Sequence, residues 1–269
     1  MTFQQYILGH APLVLFIAKV ALLWMLANYT YPAGMAAEPG DRNKRRPRWW
    51  PWLTVIVTRS AVLACAVAWI AGWNIGLGVF TLALAILLPL ARDRIASRYL
   101  AELEIGANLL FGLGVVYLAI LEDIPPAIPM GSEAASRQRS VVYLVVAIAL
   151  FVMRGGSSIV RGILDKGQLL AERGAPGGGM VGLQKQEREI PEYNRGRIVG
   201  IIERLMLMTF VAVQAYDALA FLLTAKGLFR SKELDKPAFA EYFLVGTLTS
   251  SMMAIAGGFV IQLLLKWLW

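Results

Sequence analysis

Apolar segments of membrane-spanning length recur along this chain of 269 residues. Runs of about 18 to 22 residues are long enough to cross roughly 30 Å of hydrocarbon as α-helices. Hydrophobic residues make up 58% of the sequence and charged residues only 16%, below the roughly 25% charged residues of an average soluble domain. The sequence therefore predicts an all-α, polytopic membrane protein.

Seven apolar segments predict seven transmembrane helices. They cover about Ile7–Ala27, Leu53–Ala71, Ile75–Leu90, Ile105–Leu121, Ser140–Met153, Ile198–Leu223 and Tyr242–Trp267. The fifth is short for a span, so six and eight spans are the alternatives. After it, IVRGILDKGQLLAER alternates apolar and charged residues at helical spacing, which predicts an amphipathic helix on the cytoplasmic surface.

These segments divide the chain into three predicted parts. Residues 1–153 hold the first five helices and the basic loop 41–52, and residues 154–195 hold the amphipathic helix and the glycine-rich linker Gly174–Gly182. Residues 196–269 form a unit of two membrane helices. A linker without a Gly-Lys-Ser/Thr ending is not a phosphate-binding loop.

The charges of the loops predict the orientation in the membrane. One side carries sixteen Lys and Arg residues and the other six, and basic loops face the cytoplasm. The N-terminus is thus expected outside and the C-terminus in the cytoplasm. The loop Lys226–Lys236 fits this orientation least well, because it has four basic residues and is assigned to the outer side of the membrane. If the fifth helix does not span, the last two helices invert.

The sixth predicted helix carries polar residues in an apolar setting, Glu203, Arg204, Gln214 and Asp217. A charge at the bilayer centre costs about 2.5–3.5 kcal/mol on insertion scales, so it normally faces a partner or a water-filled cavity. At about 100° per residue, Glu203, Gln214 and Asp217 share one face of a continuous helix. An alternative places Glu203 and Arg204 at the cytoplasmic helix end, paired with loop residues.

Two basic residues inside earlier helices are candidate partners for these acids. Lys19 lies midway along the first helix and Arg59 two turns into the second. We expect Lys19 or Arg59 to neutralise Asp217 or Glu203 between packed helices, although long basic side chains also extend to the membrane surface.

Small residues recur every four positions along the last helix, at Gly246, Ser250, Ala254 and Gly258. This spacing lets two membrane helices approach closely. Gly196 and Gly200 repeat the pattern at the start of the sixth helix. We interpret both patterns as helix-packing surfaces.

Several arginines flank the membrane segments on the basic side, Arg154, Arg161, Arg195 and Arg197. They are predicted to bind anionic lipid headgroups, although the positive-inside rule alone produces such a distribution. That rule also accounts for the net charge of +8, so no nucleic-acid partner is expected. The expected partners are anionic lipids and other membrane proteins or further copies of the chain.

The sequence offers little for catalysis or metal binding. His10 is the only histidine and Cys65 the only cysteine, which argues against a zinc site or an internal disulfide. Neither Gly-x-Ser-x-Gly nor His-Glu-x-x-His occurs. No cofactor, metal or catalytic residue is expected.

The C-terminal third resembles an uncharacterised family of bacterial polytopic inner-membrane proteins, described only as a domain of unknown function. The residues that carry the resemblance are Gly196, Arg197, Gly200, Glu203, Arg204, Ala225, Lys226, Arg230, Glu241, Tyr242, Gly246, Thr247 and Ser250. The resemblance implies a bacterial cytoplasmic membrane but no activity, since the family has none established. The family's upstream Asp-Gln-x-x-His element corresponds here to Glu104–Asn108, which lacks the Gln and the His.

Three functions follow from these patterns. The first is an accessory or structural subunit of a membrane protein assembly, favoured by the packing surfaces. The second is a transporter or ion-conducting protein with a buried path of Glu, Asp, Lys and Arg. The third is a membrane enzyme acting on a lipid or phosphorylated substrate, for which no nucleophile is evident.

Overall fold

A computed structural model of the protein describes residues 11–29, 49–121, 133–174, 190–229 and 237–268. Within these ranges the chain is helical and has no strand, which confirms the predicted all-α class there. The helices are α1 (Ala11–Tyr29), α2 (Trp49–Ile70), α3 (Ile75–Arg94), α4 (Leu100–Leu121), α5 (Glu133–Leu150), α6 (Gly156–Gly174), α7 (Ile190–Ala212), α8 (Tyr216–Phe229) and α9 (Pro237–Leu268). A 3₁₀ turn (Ser97–Tyr99) precedes α4.

Four helical stretches of the described chain are long and apolar enough to cross a membrane. They are Ile75–Arg92, Leu100–Leu121, Ala134–Gly167 and Phe243–Lys266. Shorter apolar stretches lie in α1 and α2. Many large apolar side chains face outward, such as those of Leu113 and Met252, as expected where lipid surrounds a helix. These features fit a membrane protein.

The predicted fifth helix is longer than its apolar core. It begins at Glu133 and continues through a π-helical turn, Phe151–Gly155, into α6. The predicted amphipathic segment is therefore not a separate helix, because its described residues continue this one to Gly174. The sequence did not predict this polar start. Its serines are accommodated because they bond within the helix: the Ser140 hydroxyl donates to the Ser136 carbonyl at 2.8 Å.

The prediction of one continuous sixth helix is wrong. Helix α7 ends at Ala212, and α8 begins only at Tyr216. Gln214 has a φ of 63°, and the amides of Gln214 and Ala215 donate to the carbonyls of Val211 and Phe210 at 3.1 and 2.8 Å. This is the usual hydrogen-bond closure of a helix C-terminus. Glycine normally occupies such a position, so the glutamine gives no sequence signal that the helix ends here.

The two halves of the broken helix fold back on each other. The Lys226 ammonium on α8 forms an ion pair with the Glu203 carboxylate on α7. On a continuous helix these residues would stand about 34 Å apart, at about 1.5 Å per residue, which is beyond the reach of both side chains. Helices α7 and α8 therefore form an antiparallel hairpin with its tip at Val213–Ala215.

The chain divides into two compact units. The first holds Met1–Ile95 and Leu103–Leu150, and the second holds Ala96–Glu102 and Phe151–Trp267. In the first, the core gathers residues of α1 to α4, among them Phe16, Trp24, Val67, Leu77, Phe111 and Val115. The rings of Trp24 and Phe111 stack with centroids 3.9 Å apart.

In the second unit, the small residues of α9 face α6 and α7. Ala254 is fully buried, and a Cβ placed on Gly246 would lie 3.5 Å from Leu164 Cδ1. A Cβ on Gly258 would lie 2.6 Å from Val211 Cβ and 2.7 Å from the Met208 carbonyl oxygen. The predicted packing stripe thus lies against helices of its own chain.

Gly258→Ala should destabilise the protein by about 1–3 kcal/mol, because the added methyl group overlaps backbone and β-carbon atoms that cannot rotate away. Thermal unfolding in detergent micelles measures the effect. The control is Gly112→Ala, since an added Cβ at Gly112 meets nothing within 4 Å. Equal melting temperatures for the two variants would contradict this packing.

Candidate functional site

The first candidate site is a buried carboxylate in the first unit. Glu104, in the second turn of α4, has no exposed side-chain surface. Arg92, near the end of α3, places Nη2 2.7 Å from Glu104 Oε2 and Nε 2.7 Å from Oε1. Both carboxylate oxygens thus face a guanidinium nitrogen. This arrangement offsets the high cost of burying a lone charge.

A tyrosine completes the shell around this carboxylate. The Tyr29 hydroxyl, at the end of α1, donates to Glu104 Oε2 at 2.9 Å. The Arg92 guanidinium lies over the Tyr29 ring at 5.6 Å from its centroid. The ion pair therefore joins the ends of α1 and α3 to the start of α4, all at one end of the first unit.

Asn108 links the charged group to the apolar core. Its Nδ2 donates to Tyr29 Oη at 3.1 Å and to the Glu104 carbonyl at 2.7 Å. Its Oδ1 accepts from the Trp24 indole at 3.0 Å. Because Trp24 stacks on Phe111, the polar network and the aromatic core hold each other in place.

Sequence reasoning missed this network. The third predicted helix ends at about Leu90, which leaves Arg92 in a loop, yet Arg92 lies inside α3. Glu104 and Asn108 enter the sequence analysis only through the family resemblance. One feature of the sequence could have indicated this network: Glu104, Asn108 and Phe111 follow one another at spacings of four and three residues. Such residues lie on the same face of a helix.

The second candidate site is a buried arginine in the second unit. Arg204 on α7 is 5% exposed. Its Nη2 donates to the Ser157 hydroxyl at 2.7 Å and to the Met153 carbonyl at 3.0 Å, and its Nη1 donates to the Ser250 hydroxyl at 3.4 Å. No carboxylate of the described chain lies within ion-pair distance, and Nε is buried without a hydrogen-bond partner there.

The arginine bonds to the π turn between α5 and α6. A π turn interrupts the regular helical hydrogen bonds, and such turns are frequent at functional sites. Here the carbonyl of Met153, within that turn, accepts from Arg204 and from the Ser157 hydroxyl. Gly156 lies against the guanidinium, since a Cβ there would make an ordinary contact at 3.6 Å from Arg204 Nε. Arg204 thus ties α7 to the π turn and to α9.

The structure separates the polar residues that were predicted to share one face. Glu203 pairs with Lys226, whereas Gln214 lies in the exposed turn at the hairpin tip. Asp217 is also exposed and lies in the first turn of α8, where a negative charge is favourable. The prediction that Asp217 shares a helix face with Glu203 is therefore wrong, because α7 ends before it.

The two proposed basic partners lie in the first unit. Lys19 is half-buried on α1. Arg59 is half-buried on α2 and lines a groove of about 470 Å³ together with Leu23, Leu26 and Val62. Glu203 instead pairs with Lys226, a partner that the sequence did not predict, and the pairing of Lys19 or Arg59 with Asp217 stays a prediction.

Of the predicted lipid-binding arginines, Arg154 is half-buried in the π turn and Arg161 is exposed on α6. The side chains of Arg195 and Arg197 lie outside what the structure describes, as do His10 and residues 175–182 of the linker. Gly196 lies in the first part of α7, and a Cβ on Gly200 would lie 3.9 Å from Arg204 Nη1.

No protein-family model, curated protein or solved structure matches this chain. The resemblance to an uncharacterised bacterial membrane family therefore stays a prediction. Among the residues that the structure describes, no three His, Cys, Asp or Glu side chains are grouped so as to hold a metal ion. The Glu104 and Arg204 clusters are thus the features of the described chain on which a proposal about function can be based.

Glu104→Gln should destabilise the protein by about 3–5 kcal/mol, because Arg92 would lose its buried counter-charge. Chemical unfolding followed by tryptophan fluorescence measures the loss. The matched control is Glu102→Gln, whose carboxylate is 54% exposed and pairs with Lys166, and whose effect should stay within about 1 kcal/mol. Similar losses for both variants would show that burial of the Glu104 pair does not matter.

Arg204→Lys should lower stability by at least about 1.5 kcal/mol, the smaller value for one hydrogen bond to a charged group. A single ammonium cannot replace a planar guanidinium that bonds to both serines and to the Met153 carbonyl. The melting temperature in micelles is the measurement, with Arg94→Lys as the control because Arg94 is exposed. An unchanged melting temperature for Arg204→Lys would contradict the assigned bonds.

Proposed function

We propose that the protein is an accessory or structural subunit of a membrane protein assembly in the bacterial cytoplasmic membrane. The supporting observation is that the buried charges of both clusters are held by partners within the chain. Glu104 is bound by Arg92 and Tyr29, and Arg204 by two hydroxyls and a carbonyl. Such a network stabilises one arrangement of the helices within its own unit and makes that unit's helix bundle rigid.

A rigid bundle suits a partner-binding role better than ion conduction. An ion or proton passes through a site only if the charged groups can exchange their partners during each cycle. The Glu104 network joins three helix ends and an aromatic stack, so releasing it would disturb the core. The proposed partners are other membrane proteins or further copies of this chain.

The proposed setting is an anionic membrane surface on the cytoplasmic side. The basic loops are placed in the cytoplasm and the N-terminus outside, following the distribution of Lys and Arg. Arg161 is exposed and Arg154 half-buried, so Arg161 is the better positioned of these two for a lipid headgroup.

Transport is the second candidate, and one observation favours it. Many transporters bind substrates where membrane helices are broken. Here the chain is broken between α7 and α8, and a half-buried ion pair joins these two helices. The break therefore favours transport as the alternative function. Glu203, Lys226 and Arg204 would be the residues of the transport path.

Purification in nanodiscs from native membranes, with mass determination of the intact complex, tests the proposal. We expect a stoichiometric partner or a defined homo-oligomer. An isolated monomer in every preparation would contradict the accessory role.

Liposome flux measurements then separate the two functions. The accessory role predicts no flux above that of empty liposomes, for the wild type and for Glu203→Gln alike. Flux by the wild type that Glu203→Gln abolishes, while Glu102→Gln leaves it intact, would replace the accessory role with transport.

A further inference from the structure

Contacts in the second unit show that α9 runs parallel to α7. Arg204 on α7 bonds to Ser250 on α9. Farther along both helices, Val211 lies against Gly258, with 2.6 Å from its Cβ to a Cβ placed on the glycine. Residue numbers therefore rise together along the two helices. A simple pair of spans joined by one loop would run antiparallel instead.

Contacts with α6 show at which end α9 begins. Gly246 of α9 lies against Leu164 of α6, whereas Met253, farther along α9, lies against Gly156. Helices α6 and α9 are therefore antiparallel. Lys166, two residues beyond Leu164, pairs with Glu102 in the first turn of α4. Helix α9 therefore begins at the same end of the second unit as α4.

The hairpin accounts for the parallel arrangement. Helix α7 leaves this end of the unit, the chain turns at Val213–Ala215, and α8 returns, as the Glu203–Lys226 ion pair requires. We infer that the hairpin returns the chain to the membrane side from which α7 entered. The end of α8 and the start of α9 then lie on the cytoplasmic side, and the end of α9 lies outside. This inference rests on the membrane insertion proposed above.

The distribution of basic residues supports this course. Lys226, Arg230, Lys232 and Lys236 fitted the positive-inside rule poorly as an outer loop. Returned to the cytoplasmic side, they bring the basic residues there to twenty, while the outer side keeps two in the loop Glu122–Arg139 and Lys266 at the end of α9. The charge bias thereby becomes stronger, as the positive-inside rule favours.

Cysteine labelling in intact cells tests the course of the chain. In a Cys65→Ala background, single cysteines are introduced by Gly177→Cys in the glycine-rich linker, Ser231→Cys after the hairpin, and Trp269→Cys at the C-terminus. A membrane-impermeant maleimide is applied before and after permeabilisation. Ser132→Cys in the loop Glu122–Arg139 serves as the outer reference.

We expect the cysteine at 231 to label only after permeabilisation, like that at 177, and the cysteine at 269 to label in intact cells, like that at 132. The inference would be overturned if the cysteines at 231 and 177 labelled from different sides of the membrane. It would also be overturned if the cysteines at 269 and 177 labelled from the same side. If the whole protein were inserted the other way round, all labels would exchange, but 231 and 177 would still agree. If it were not inserted at all, alkaline carbonate would extract it.

Discussion

A charged side chain held away from water needs a partner inside the chain, and this requirement organises both units of the protein. In the first unit, Glu104 is neutralised by Arg92 and receives a hydrogen bond from Tyr29. In the second, Arg204 bonds to Ser157, the Met153 carbonyl and Ser250. Each charge joins three helical segments of its unit.

These polar contacts specify the arrangement of helices that apolar packing alone leaves open. Lipid tails are as apolar as leucine, so membrane helices gain little from burying hydrophobic surface against each other. Close packing at small residues and interhelical hydrogen bonds then decide which helices pair. On α9 both occur together, since Ser250 accepts from Arg204 and Gly258 lets α7 approach.

The sequence predicted the helical class, the start of α3 at Ile75 and the end of α4 at Leu121, because apolar length and turn residues encode them directly. It did not predict the hairpin. Gln214 occupies a left-handed position that glycine usually fills, and the apolar residues on either side made α7 and α8 look like one span. The partners of Glu104 and Glu203 were missed because Arg92 and Lys226 lie at helix ends, where basic residues are normally explained by membrane topology.

The fold-back of α7 on α8 is the central claim, and a cysteine pair tests it most directly. In a Cys65→Ala background, Glu203→Cys and Lys226→Cys are combined, and the protein in membranes is treated with a short thiol-specific crosslinker. The hairpin predicts an intramolecular crosslink that protects both thiols from later labelling with a maleimide. A continuous helix would hold the two cysteines about 34 Å apart, at about 1.5 Å per residue. Two thiols that stay free in the monomer would therefore contradict the hairpin.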